Sequence, residues 1–259
     1  MTEKYLDDNG YELFYEIQGK GENSLIFIHG LCGDHGVWSK NIPAFKDKYK
    51  VIAIDMFGHG SSDKRIAPKE AFESMPAIIK SLIEKEDLKN TVLIGHSVAG
   101  NILLNCMEEC IDIKSYVLVD CTFNATEKIV NARNRLADTL LDNPPDRINA
   151  AMIKWYKAMM DSNFPEDNEM ILSSFKNLNE KWALDFVKAT NFVRKAPKIN
   201  IPMLIFESDW QTKVDPDRSF AKALPEAEYF HWHAQNHFFF VYESKKFNKV
   251  LKEFLDKHI

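Results

Sequence analysis

Residues 91–100 read Thr-Val-Leu-Ile-Gly-His-Ser-Val-Ala-Gly, a run of strand formers that breaks on Gly95-His96-Ser97-Val98-Ala99 and passes at once into a helical pattern. Few corners join a buried strand to a helix so abruptly. This one holds its central serine on a strained turn, with the hydroxyl exposed above the sheet. The flanking Gly95 and Ala99 carry the inference, because backbone crowded around such a serine tolerates only a hydrogen or a methyl group there. Ile102, Leu103, Cys106, Met107 and Cys110 follow at helical spacing. A chain built on this corner needs a buried strand before it and a helix packed on the sheet after it.

Other short apolar runs fit that demand: 24–28, 51–55, 93–94, 116–119 and 203–206. Strands apolar on both faces belong to parallel sheets covered by helices on each side. Helical stretches alternate with them at about 36–48, 69–87 and 98–110. The alternation predicts a three-layer α/β/α fold with a mostly parallel central sheet. The first 28 residues instead suggest a hairpin turning at Asp8-Asn9-Gly10. Between about 122 and 197 strand pattern is absent, and helical stretches at 125–142, 145–161 and 166–193 are rich in Met, Phe and Trp. The simplest organisation is a core of residues 1–121 and 198–259 with an all-helical cap, 122–197, inserted between two core strands. Cap residues such as Leu136, Met152, Trp155, Met159, Phe175, Trp182 and Phe186 are expected to pack together and to roof an apolar pocket.

Composition excludes some partners. The net charge of −5 with both signs interspersed offers no basic surface for nucleic acid or an anionic membrane. No apolar run approaches the ~18 residues of a membrane span. The acidic start, Met1 to Asp8, lacks the apolar stretch of a leader peptide, so the expected compartment is the cytoplasm. Cys32, Cys106, Cys110 and Cys121 show neither metal-ligand nor redox spacing and read as small buried hydrophobes. The Asn124-Ala125-Thr126 sequon carries no weight without a secretory route. No metal or cofactor is expected.

A serine hydroxyl is a weak nucleophile until a base takes its proton and a third group orients that base. Where the serine stands on such a corner, the order along the chain is serine, acid, histidine. Of eight histidines, His29, His35, His59 and His96 precede or flank the serine, His231 and His233 alternate along a strand pattern, and His258 ends the last helix. His237, in Ala234-Gln235-Asn236-His237-Phe238, falls on a loop and is the expected base. An oxyanion needs two preorganised N–H donors. Val98, next to the serine, supplies one, and Leu31, in the loop His29-Gly30-Leu31-Cys32-Gly33, the other. Gly30, Cys32, His96 and Phe238 are expected to border the substrate.

Four motifs together resemble the α/β-hydrolase superfamily over nearly the whole chain. They are Phe27-Ile28-His29-Gly30 with Gly33 and Trp38, Asp55-Met56-Phe57-Gly58-His59-Gly60-Ser61-Ser62, Gly95-His96-Ser97-Val98-Ala99-Gly100, and Asn236-His237-Phe238. The resemblance implies nucleophile Ser97, base His237, oxyanion donors Leu31 and Val98, and a helical cap. The acid departs from the family pattern, which places it after the strand 203–206. There the chain reads Ser208-Asp209-Trp210-Gln211-Thr212-Lys213-Val214-Asp215-Pro216, with the uncharged Gln211 at the usual place. Asp209 is the expected acid, Asp120 at the end of the preceding strand is the first alternative, and Asp215 or no working acid at all the next. The implied reaction is hydrolysis of a small to medium apolar carboxylic ester, lactone or thioester through an acyl-enzyme. Carbon–carbon bond hydrolysis or peroxidase chemistry on the same residues is an alternative, and a slow-turnover or non-catalytic small-ligand receptor is another.

Overall fold

The computed structural model describes residues 1–109, 112–121, 126–193, 195, 198, 200–214 and 222–259. Cys110, Asn124 of the sequon, Asp215 and the expected cap limits at 122 and 197 lie outside the described residues.

The doubly apolar segments become the strands of one eight-stranded sheet: β1 Thr2–Asp8, β2 Tyr11–Gln18, β3 Asn23–Ile28, β4 Lys50–Ile54, β5 Lys89–His96, β6 Ser115–Val119, β7 Met203–Ser208 and β8 Glu228–Trp232. Their order is β1-β2-β4-β3-β5-β6-β7-β8. The hairpin β1/β2 pairs antiparallel and joins β4 antiparallel, while every other pairing is parallel. Between the strands run α1 Pro68–Glu73, α2 Met75–Lys85 and α3 Ala99–Glu108; α4 Glu127–Leu141, α5 Pro145–Lys157, α6 Pro165–Ser173 and α7 Glu180–Thr190 all fall between β6 and β7. Then come α8 Asp209–Val214, α9 Phe239–Tyr242 and α10 Ser244–His258, which buries Phe247, Leu251, Phe254 and Leu255 at helical spacing.

Three helical expectations change in detail. The segment 36–48 is no α-helix but two 3₁₀ turns, His35–Trp38 and Ile42–Ala44. Asp34 caps the first by accepting the Gly36 N–H at 2.9 Å, and Pro43 opens the second without an N–H of its own. The stretch 69–87 divides at Ser74, because Pro76 cannot donate to the carbonyl four residues back. The stretch 166–193 divides into α6, a 3₁₀ turn and α7, whose start is capped by Asn179 accepting the Trp182 N–H at 2.9 Å.

Strand order places the crevice. The chain leaves β3 for β4 on one side and later returns to β3's other side as β5. Ligands in open parallel sheets bind outside the carboxyl ends at such a reversal, and here those ends are Gly30 and Ser97. Beneath them an aromatic cluster closes the core. The fully buried Trp38 ring lies 5.0 Å from Phe27, 4.5 Å from Phe240 and 6.5 Å from Phe247, between centroids. Trp38→Ala should therefore cost about 3–5 kcal/mol of stability, read as a lower urea midpoint at unchanged m-value.

Candidate active site

Ser97 is held at the corner by its backbone. Its φ is +57°, a left-handed value that a residue with a Cβ rarely adopts. Its N–H donates to Val119 O at 3.0 Å, which locks the corner onto β6, and its carbonyl accepts the Gly100 N–H at 3.1 Å as α3 begins. A methyl group on Gly95 would come within 2.9 Å of Leu103 Cδ1 and 3.1 Å of Ala99 Cβ, so the helix closes onto the strand only across a glycine. The crowding inferred for Gly95 and Ala99 is thus present as a contact between them.

The second element is the turn after β3. Gly33 N–H donates to Gly30 O at 3.1 Å, and Cys32 takes φ +59°. A Cβ on Gly30 would fall 2.8 Å from His96 Nδ1 and 3.0 Å from Ser97 Cβ, which brings this turn directly against the serine. His29 anchors it from below. Its Nε2 accepts the Met56 N–H at 3.0 Å, which leaves the proton on Nδ1 to donate to Gly30 O at 2.7 Å. Neither the Leu31 nor the Val98 N–H is taken by a backbone carbonyl among the described residues. The Leu31 carbonyl accepts from the Tyr156 hydroxyl of α5, and the Cys32 carbonyl accepts from Ser174 Oγ at 2.7 Å. Burial pushes the Cys32 thiol far up, so it is protonated and inert at neutral pH.

His237 follows β8 on the expected loop. Its ring lies between His96 at 4.4 Å and Trp210 at 4.5 Å, and its N–H donates to Met159 O at 2.8 Å. Nδ1 is 2.7 Å from Asp120 Oδ2. The expected partner, Asp209, does not reach it. The Asp209 carboxylate turns outward, where Oδ1 lies 2.8 Å from His231 Nε2 and 3.7 Å from His233 Nδ1. Asp120, the first alternative, instead collects the Ser208 N–H at 2.7 Å, the Ser208 hydroxyl at 2.8 Å and the His237 ring. Gln211, at the place where the resemblance led one to look for an acid, donates through Nε2 to Cys121 O at 3.2 Å.

Electrostatics follow from burial. Desolvation drives the His237 imidazole down to about 3, so the ring is neutral at physiological pH. With its proton on Nδ1 facing Asp120, Nε2 keeps a bare lone pair. Burial pushes the Asp120 carboxyl up to about 8, while the two Ser208 donors pull the other way by stabilising the carboxylate. His96 is held far below its ordinary value by burial and by the adjacent His237, and its Nε2 lies 3.1 Å from the His237 carbonyl. It packs against the His237 ring. Among the described residues no hydrogen bond joins Ser97 Oγ to His237; before substrate binds, such contacts are often long and tighten in the complex.

A cavity of about 170 Å³ opens above these groups. Ser97, Val98, Gly30, Leu31, Cys32, His96, His237 and Phe238 all line it, and of the expected site residues only Asp209 does not. Its far wall comes from the inserted helices, with Leu136, Leu140, Met152, Trp155, Met159 and Leu184 among others. Tyr156, Ser174 and Trp210 escaped the sequence reading. No local pattern marks a helical tyrosine as the donor to a carbonyl 125 positions away. Trp210, adjoining a candidate acid, offered the one available cue.

Comparison with known proteins places these features in a family. Residues 23–186 match the family model described as alpha/beta hydrolase fold. A non-heme chloroperoxidase from Kitasatospora aureofaciens is 24% identical over 96% of the chain and 98% of that protein. An uncharacterized hydrolase from Bacillus subtilis is 29% identical over 44% of the chain, and the match spans only 42% of that relative. Among solved structures, an esterase from Exiguobacterium antarcticum superposes with a TM-score of 0.81 over 96% of the chain and 97% of its own, at 16% identity. No helix among the described residues is long and apolar enough to cross a membrane.

The buried histidines make stability depend on pH. His59 and His237 are lowered to about 3 and His96 well below 6.5, all through desolvation. The unfolded chain, with ordinary values near 6.5, binds more protons in acid than the native one. The contribution of these rings is therefore complete above about pH 6.5 and falls below it, by on the order of 1 kcal/mol per ring at pH 5.5. The single raised carboxyl of Asp120 acts in the opposite sense as pH rises toward 8 and is outweighed by the three rings in acid. Thermal midpoints measured from pH 8 down to 5 should fall steeply only below about 6.5.

Proposed function

The chain belongs to the alpha/beta hydrolase family, and on that premise we propose that it hydrolyses a small, apolar carboxylic ester, lactone or thioester through a serine acyl-enzyme. The observation carrying this reading is the pairing of a neutral, Asp120-oriented His237 with Ser97, strained upward into the same apolar cavity. Ser97 Oγ attacks the substrate carbonyl as its proton passes to His237 Nε2. The Leu31 and Val98 N–H groups receive the oxyanion, in a role that free donors beside the serine suit. Collapse expels the alcohol or thiol, which takes the proton from His237. Water, deprotonated by the same ring, then attacks the acyl-enzyme and releases the acid. Asp120 holds the tautomer throughout and stabilises the imidazolium that forms at each step.

Cavity size and lining set the substrate class. A dry apolar cavity of about 150 Å³ is enough for a benzene-sized guest, so 170 Å³ walled by Met, Leu and Trp suits a short acyl chain or a small ring. The helices between β6 and β7 act as the cap that selects it. The likeness to a chloroperoxidase over nearly the full chain favours one second reading. In it, hydrogen peroxide replaces water in the second step and releases a peracid from the same acyl-enzyme.

Hydrolysis of p-nitrophenyl acetate and butyrate tests the proposal. Ser97→Ala should abolish turnover and the acyl-enzyme burst, whereas Ser97-independent hydrolysis would overturn it. Asp120→Asn should lower kcat by on the order of 10³–10⁴-fold through loss of the correct tautomer, while Asp209→Asn, at an exposed ion pair, should stay within about threefold of wild type. A full loss in Asp209→Asn with activity kept in Asp120→Asn would reverse the acid assignment. Because a lowered His237 must be neutral to act as base, kcat/KM should hold through pH 6.5 and fall only as pH drops toward its depressed value.

A further inference from the structure

The carboxylate that sequence pattern assigned to catalysis stands in a different cluster. β8 is the edge strand of the sheet, with no strand beyond it among the described residues. Successive strand residues alternate faces, so His231 and the residue two further on, His233, present their rings to the same side; the ring centroids are 4.8 Å apart. Asp209, the first residue of α8, projects between them. One ligand atom from each of Asp209, His231 and His233 lies within 4.8 Å of the other two. Asp209 Oδ1 is already 2.8 Å from His231 Nε2 and 3.7 Å from His233 Nδ1.

We propose that Asp209, His231 and His233 form a surface site for a divalent transition-metal ion such as Zn²⁺ or Ni²⁺. A tetrahedral ion with bonds of ~2.0–2.2 Å sets its ligand atoms about 3.3 Å apart. The two Asp209 separations need change by only about half an ångström each, and the two histidine nitrogens, within 4.8 Å of each other, draw together by turning the exposed His233 ring. Two imidazoles and one carboxylate select zinc, nickel or copper over magnesium or calcium, which prefer oxygen cages. The ion takes the place of the hydrogen bond between His231 Nε2 and Asp209 Oδ1.

The surroundings also set the affinity. His231 Nδ1 is buried without a partner among the described residues, so this imidazole lacks the acceptor that steadies the ligands of tight structural zinc sites. His233 is largely exposed, at 82% of its side chain, and its ring must be ordered on binding. The site is therefore reversible and open to solvent at its remaining coordination positions. It shares no residue with the proposed reaction, yet Trp210, next to Asp209 in the chain, packs on His237. Occupancy ties the first turn of α8, part of the cavity wall, to the edge strand.

Calorimetric titration of the full chain with Zn²⁺ and with Ni²⁺, at a pH above neutrality, tests the site. Wild type should bind one ion per chain, and Mg²⁺ should give no comparable isotherm. His233→Ala removes an exposed ligand that the fold does not need, and should weaken binding by about tenfold or more with unchanged circular dichroism and melting in metal-free buffer. Asp209→Asn should weaken it as well. Absence of one-to-one binding in the wild type overturns the proposal, and so does a His233→Ala protein that titrates like the wild type.

Discussion

One buried carboxylate ties the upper edge of this sheet together. Asp120 ends β6 with φ +50°, a turn of the backbone that directs its side chain back over the neighbouring strand end. Its own N–H is held by Phe206 O at 2.9 Å, its oxygens take both donors of Ser208 at the end of β7, and Oδ2 takes the ring of His237 beyond β8. A fully buried carboxyl keeps its place only where hydrogen bonds replace its hydration, and here they come from two other segments of the chain. The carboxylate thereby fixes where β7 ends and which way the histidine loop folds. Trp210 and His96 then pack against a ring whose edge is already set.

The helices between β6 and β7 act on the same place from above. An apolar roof alone could shift by an ångström at little cost, since dispersion and burial are not directional. Three hydrogen bonds are. Tyr156 of α5 reaches the Leu31 carbonyl, Ser174 reaches the Cys32 carbonyl, and the Met159 carbonyl receives the His237 N–H. The turn at residues 30–33 and the histidine loop are thus positioned by the insertion as much as by the sheet.

The layout was legible because its signals are local. A doubly apolar pentamer can hardly be anything but an interior strand, and a serine between Gly95 and Ala99 at a strand's end needs a corner. The place of His237 followed from chain order and the loop after the last strand. Its carboxylate partner did not, because β6 and β7 are adjacent and parallel, and their ends lie close to the same ring. Which of Asp120 and Asp209 turns inward depends on competing partners. Ser208 supplies two donors to one, while His231 and His233 draw the other outward. The alternation His231-Trp232-His233 was the available hint. Tyr156 and Ser174 left none, since their acceptors are backbone carbonyls more than a hundred residues away.

Backbone strain in the chain also sorts by place. Among the described residues, six non-glycine positions have positive φ: Asn9, Asp87 and Asn90 lie in turns or at strand starts, where short polar side chains tolerate it, and Cys32, Ser97 and Asp120 do not share that setting. Those three stand at the carboxyl ends of β3, β5 and β6, around one cavity or directly behind it. Each such conformation costs on the order of 1–3 kcal/mol and persists only where its surroundings over-determine it. Gly33 and Ser174 hold Cys32, Val119 and Gly100 hold Ser97, and Phe206 and Ser208 hold Asp120. Ordinary backbone at any of the three would relieve the strain, but it would also turn aside the Gly30–Gly33 turn, the serine hydroxyl or the carboxylate. The fold carries the strain where the proposed chemistry needs those groups to point.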